Sequence, residues 1–241
     1  MAKRSTQVRR RRTRQDSYES YANDGFEADN VRRLFDEPTW TPMKEEEERE
    51  RKYRKNIRAQ NAAQQALLDA LDVSPLVFAT GAAGTGKTYL AIAKGVEALE
   101  SGKVRRIVLS RPAVEAGENL GFLPGDMEEK VDPYLRPLYD ALCDRISSKR
   151  LKAMVAEGVI EIAPIAYMRG RTLNNAYVVI DEAQNCTYGQ LKMLLTRLGW
   201  NSSMVVTGDP AQSDLLPGVS GLEEIVTRLE PISTVAVVRF T

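Results

Sequence analysis

Histidine is absent from all 241 residues. That removes imidazole-activated nucleophiles, imidazole general bases and the usual zinc sites together. Any catalysis must rest on carboxylates, amides, Lys, Arg and a metal held by oxygen ligands. Cysteine is scarce too. Cys143 and Cys186 form no CxxC and no disulfide framework, which reads as two packing residues in a reducing, cytoplasmic setting. No window approaches the roughly eighteen consecutive apolar residues of a membrane span, and the basic start lacks the apolar h-region of a signal peptide. A soluble intracellular chain with no membrane partner is expected.

Acid is missing from the first fourteen residues, which carry seven Lys or Arg, whereas Glu45 to Glu48 is a solid acidic block. The formal net charge of +1 hides this layout. Residues 1 to 50 have few aliphatic side chains and neither helical nor strand periodicity, so they are expected to be a disordered leader. Its run from Arg9 to Arg12 suits nucleic acid phosphates, and it equally suits a solvated basic tail.

From Glu45 to Leu71 the residues are strong helix formers, with apolar positions gathering at Leu67, Leu68 and Leu71. One helix docking its second half on a core is predicted. Beyond it, short apolar runs ("PLVFAT", "RRIVLSRP", "VIEIAPI", "AYVVIDE", "SMVVTGD", "ISTVAVVRF") alternate with helical segments such as 87 to 101, 127 to 157 and 187 to 199. Strands joined by helical crossovers imply an α/β fold with a parallel sheet buried on both faces. At 43% hydrophobic, 51 to 241 can form one such domain.

The stretch "GAAGTGKT" meets the template GxxxxGK[ST] through Gly81, Gly86, Lys87 and Thr88, with Gly84 as a third glycine. A strand precedes it and a helix comes after. Bare backbone lets N–H groups wrap a phosphate closely, where a Cβ would obstruct. Gly81, Ala82, Ala83, Gly84, Thr85, Gly86, Lys87, Thr88 and the adjoining Tyr89 are therefore the candidate ATP-binding residues. Lys87 supplies charge to the β- and γ-phosphates, and the Thr88 hydroxyl contributes to a Mg²⁺ site. The competing reading is an ordinary glycine turn.

In "AYVVIDEAQN" four apolar residues lead into Asp181 and Glu182, as in a buried strand opening onto a ligand crevice. Neighbours at a strand end point different ways. Asp181 is thus the second magnesium residue and Glu182 the group that polarises an attacking water. The bland alternative is an acidic helix start. "MVVTGDPAQSD" brings Thr207, Asp209 and Gln212 to the same edge, where Gln212 can bond the γ-phosphate or the water without adding charge. A structural turn at Gly208 and Pro210 is the other reading.

With these segments aligned, the sequence resembles the PhoH family of P-loop ATPases, related to the superfamily 1 helicases. The likeness runs from Asn61 to the last residue. It rests on "RPAVEAGENLGFLPGDMEEKVDPYLRPLYDAL", "EIAPIAYMRGRTLNNA" and "QLKMLLTRLG". It implies a RecA/helicase-like parallel sheet with flanking helices in a single domain after the leader. It also implies that Gln64 of "NAAQ" reads the adenine edge, favouring ATP. Arg111, Arg169 and Arg171 fall in its signature blocks, where they either neutralise phosphate or pair with Glu115, Asp181 or other acids. Members of the family continue past "VVRF" with a further C-terminal segment, which this sequence does not include.

Helicases of that lineage close ATP between two tandem domains, and here one is expected. The resemblance therefore implies a homohexameric ring in which a neighbour lends an arginine. The leading expectation is a Mg-dependent ATPase coupled to single-stranded RNA or DNA as a helicase-like motor or remodeller. The alternative is a non-motor ATP-dependent switch that recruits a protein partner. A small-molecule kinase is disfavoured, since a water-activating acid would waste its ATP.

Overall fold

The computed structural model describes residues 57–112 and 127–241. The leader, the front half of the helix expected from Glu45, and Glu115 with its neighbours 113 to 126 lie outside the described residues.

Helix α1 spans Ala62–Val73. It starts there because Asn61, held extended at φ −151°, accepts the Gln64 N–H through its side chain at 2.9 Å. One helix from Glu45 to Leu71 is therefore overturned: residues 57 to 60 are not helical. The apolar triplet Leu67, Leu68 and Leu71 is buried, as its spacing requires. Strand β1, Leu76–Gly81, comes next, then α2, Lys87–Glu100, and β2, Arg106–Arg111.

The segment expected to be one helix over 127 to 157 is two, α3 at Met127–Cys143 and α4 at Ser148–Ala156. The break comes at Ser147, whose extended backbone and hydroxyl cap α4. Strand β3, Ile160–Pro164, and strand β4, Ala176–Ile180, lie beyond it in the chain. Helix α5 is confined to Tyr188–Leu195, where Thr187 and Gln190 form a capping box. Strand β5, Ser203–Gly208, helix α6, Leu222–Leu229, and strand β6, Val235–Phe240, complete the fold.

All six strands pair in parallel in the order β3-β2-β4-β5-β1-β6. Side chains alternate across the sheet with period two. Val77, Ala79, Ile107, Leu109, Tyr177, Val179 and Val205 pack beneath α1 to α4. Phe78, Val108, Val178, Ile180, Met204 and Val206 pack against α5 and α6. Both faces are covered, which accounts for the unbroken apolar character of the central strands. Both cysteines are free thiols, and burial pushes Cys186 up to about 12, so it is an inert packing residue. Among the described residues no helix is long and apolar enough to cross a membrane.

Helix α2 lies against β4 at Gly95, where an added Cβ would stand 2.8 Å from Tyr177 Cδ1. The tyrosine is 3% exposed, so its ring must shift within the packed α2–β4 contact. Gly95→Ala would gain about 1 kcal/mol of helix propensity and lose about 1–3 kcal/mol to overpacking. Overpacking wins, so urea unfolding should show a loss of about 1 kcal/mol. A stabilised variant would mean that the α2–β4 contact is looser than described.

Candidate active site

Parallel strands bring their carboxyl ends to one edge, and this edge carries the site. Glycine is required where β1 ends. Gly81 has φ +132°, and a Cβ there would sit 2.0 Å from the Phe240 carbonyl oxygen of β6. Gly86, at φ 88°, turns the chain into α2. Between them the loop folds around its own lysine. Lys87 Nζ donates to the carbonyls of Gly81 at 2.7 Å and Ala82 at 2.6 Å, and lies 5.8 Å from the centre of the Phe240 ring.

Burial holds the Lys87 ammonium below its ordinary range, while Asp209, Glu182 and Asp181 pull the other way. Thr85 Oγ1 donates to the Ala82 carbonyl at 2.9 Å, so Ala82 and Thr85 serve the loop's internal bonding. Ala83, Gly84, Gly86, Lys87, Thr88 and Tyr89 face a cleft of ≈ 300 Å³.

Strand β5 separates β1 from β4, and Thr207 bridges the gap. Asp181 Oδ1 accepts from Thr88 Oγ1 at 2.6 Å and from Thr207 Oγ1 at 2.7 Å. The carboxylate is thereby locked beside the first turn of α2. Among the described residues no group of three or more Cys, Asp or Glu could hold a metal. One carboxylate and one hydroxyl do fit Mg²⁺, which keeps several waters and takes its remaining ligands from phosphate oxygens.

Glu182 adopts the left-handed conformation, φ 53° and ψ 41°. For a non-glycine residue this costs about 1–2 kcal/mol, and such strain collects at functional sites. Glu182 Oε1 accepts from Arg111 Nη2 at 2.9 Å, and Oε2 accepts from Gln184 Nε2. The cleft is completed by Asp181, Glu182, Gly208, Asp209 and Gln212.

The other residues singled out from sequence separate clearly. Arg111 pairs with an acid, and that acid is Glu182. Arg111 Nη1 also donates to the Tyr134 carbonyl at 3.3 Å. Arg171 is bound twice to Glu161, holding that carboxyl below its usual range, and neither Arg171 nor Arg169 lines the cleft. Gln64 braces the loop: its Nε2 donates to the Thr85 carbonyl at 3.0 Å while its Oε1 accepts the Gln60 N–H at 2.7 Å.

Sequence reasoning missed Gln184 and Asn185. Both are buried polar residues, and Asn185 forks with Asp214 through two hydrogen bonds of 2.7 and 2.8 Å. Their signal was two amides directly after "DEA", where a core-facing turn offers only apolar surroundings unless polar partners come from elsewhere.

Comparison with known proteins identifies the chain's relatives. The sequence profile of the PhoH-like protein family matches residues 56–241. A PhoH-like protein of Mycobacterium tuberculosis is 56% identical over 188 residues, covering 78% of this chain and 53% of the relative. A PhoH-like protein of Bacillus subtilis is 53% identical over 197 residues, covering 81% and 62%. The chain thus spans between 53% and 62% of the length of these relatives. Among solved structures, the large terminase of a thermophilic bacteriophage has a TM-score of 0.46 at 11% identity, covering 76% of this chain and 46% of that one, a likeness too loose to argue from. Glycine loop, paired acids and sheet order all lie within the matched span, and the chain belongs to the PhoH-like protein family.

Proposed function

We propose that this chain hydrolyses ATP to ADP and phosphate, and that the cycle is coupled to single-stranded RNA or DNA in a homo-oligomeric, hexameric ring. The observation that carries the hydrolase reading is the convergence of Lys87, Thr88, Asp181 and Glu182 on one cleft. The loop amides and the Lys87 ammonium bind the β- and γ-phosphates. Thr88 and Asp181 would hold Mg²⁺, which would supply positive charge to the phosphate oxygens. Glu182 accepts a proton from the water that attacks the γ-phosphorus, the bond to the β–γ bridging oxygen breaks, and ADP leaves with that oxygen. Gln212, exposed at the cleft rim, bonds the γ-phosphate or the water. Gln64, beside Gly86, reads adenine once its amide exchanges the Gln60 and Thr85 contacts for base contacts.

Support for coupling comes from the basic leader and the family's relation to helicases. Support for a ring comes from the cleft at the sheet's edge, which among the described residues is lined by no arginine and so suits one lent by a neighbour. The free thiols favour a cytoplasmic location. Steady-state phosphate release in Mg²⁺, with and without single-stranded RNA and DNA, tests the reading. Turnover should rise severalfold with one of the polymers. A rate indifferent to both removes the coupling and leaves the hydrolase, and a monomer in sedimentation with ATP removes the ring.

A second reading has an observation in its favour. Both carboxylate oxygens of Glu182 are already engaged, which suits a switch that holds ATP without splitting it and recruits a protein. Tight ATP binding with negligible turnover under all those conditions would establish it.

A further inference from the structure

We propose that Gln184 is a positioning residue that sets the Glu182 carboxylate according to where the loop 209 to 213 stands. The inference rests on the reading of Glu182 as the water-activating acid.

The Gln184 side chain is 2% exposed and makes three contacts. Its Nε2 donates to Glu182 Oε2 and to the Gln212 carbonyl, the latter at 3.4 Å. Its Oε1 accepts the Asp209 N–H at 3.0 Å. Strand β5 makes room for this amide: a Cβ at Gly208 would lie 2.9 Å from Gln184 Oε1. The backbone is tied in as well, because Ser213 Oγ donates to the Gln184 carbonyl at 3.0 Å.

A side-chain amide has an acceptor at one tip and two donor hydrogens at the other. Here one hydrogen serves the acid and the second serves the loop that carries Gln212. Both come from a single nitrogen, so a displacement of Gln212 is felt at Glu182 Oε2 without any intermediate group. Arg111 anchors only the other oxygen. The loop that meets the terminal phosphate and the acid that faces the water are thereby joined through one buried side chain.

Substitution separates this role from simple packing. Gln184→Glu keeps the shape and the acceptor for Asp209 but loses the donor and sets a like charge against Glu182. Gln184→Leu loses both. Each is made in the full chain, alone and combined with Glu182→Gln, and read by calorimetric Mg-ATP affinity and single-turnover hydrolysis.

The expected result is ATP affinity within about threefold of the parent and hydrolysis slower by about tenfold to a hundredfold, the scale of a misplaced reacting group. With Glu182→Gln already present, the second change should cost nothing more. The proposal is overturned by unchanged hydrolysis, by an equal loss in both backgrounds, or by affinity falling in step with rate. Should Gln184→Leu fail to fold, Gln184→Glu decides the matter alone. A parent without turnover overturns the hydrolase reading and this inference together, whereas an active parent with indifferent variants overturns this inference only.

Discussion

Lys87→Ala should fold with a thermal midpoint close to the parent and yet bind Mg-ATP about a thousandfold more weakly. Among the described residues that line the cleft, Lys87 is the one cation, and Asp209, Glu182 and Asp181 all act on its Nζ. Removing it leaves three carboxylates around the position of a polyanion. A unit charge about 4 Å from a phosphate oxygen contributes about 4 kcal/mol at an effective dielectric constant near 20, and about 1.4 kcal/mol corresponds to tenfold in affinity. The fold should survive because Ala82 is exposed and Gly81 is partly so, and water can replace the ammonium at their carbonyls. Titration calorimetry beside a circular dichroism melt measures both halves. Unchanged affinity and phosphate release would remove the phosphate-cradle reading altogether.

Glu182→Gln should lower turnover by about 10²–10⁴-fold, the usual contribution of a general base, with ATP affinity retained. The amide preserves the volume and the unusual backbone angle, and its oxygen can still accept from Arg111. What disappears is the basicity that takes the proton from water. Affinity without turnover separates this variant from Lys87→Ala, where affinity itself is lost. Rapid-quench hydrolysis with saturating Mg-ATP distinguishes them, and a variant as fast as its parent would exclude Glu182 from the chemistry.

The parts of this site that were readable from sequence are the contiguous ones. Gly81 to Thr88 and Asp181–Glu182 announce themselves because each motif is closed within a few residues and is flanked by elements whose periodicity fixes their orientation. The Arg111–Glu182 pair is different, since its partners stand 71 positions apart. Nothing in a strand's apolar pattern states that β2 will lie beside β4 while β5 intervenes before β1.

For the same reason Arg111, Arg169 and Arg171 were indistinguishable until the strands were ordered. Arg171 then went to Glu161 on the edge strand and Arg111 to the acid of the cleft. Helix ends failed for local reasons: Asn61 and Ser147 each cap the helix on their C-terminal side, and side-chain capping outweighed the helix propensity of the residues before. Gln184 was hidden because its three hydrogen bonds reach into a different loop.

The contact between Gly81 and the Phe240 carbonyl has a mechanical implication. The phosphate loop begins where the last strand leaves no room for a methyl group, and the ring of Phe240 stands beside the lysine. Strand β6 pairs with β1 along its whole length, from Leu76 beside Val235 to Gly81 beside Phe240, so the two strands fix the start of the loop together. Any residue larger than glycine at position 81 would therefore have to displace an edge strand of the sheet, which ties the shape of the phosphate loop to the seating of β6.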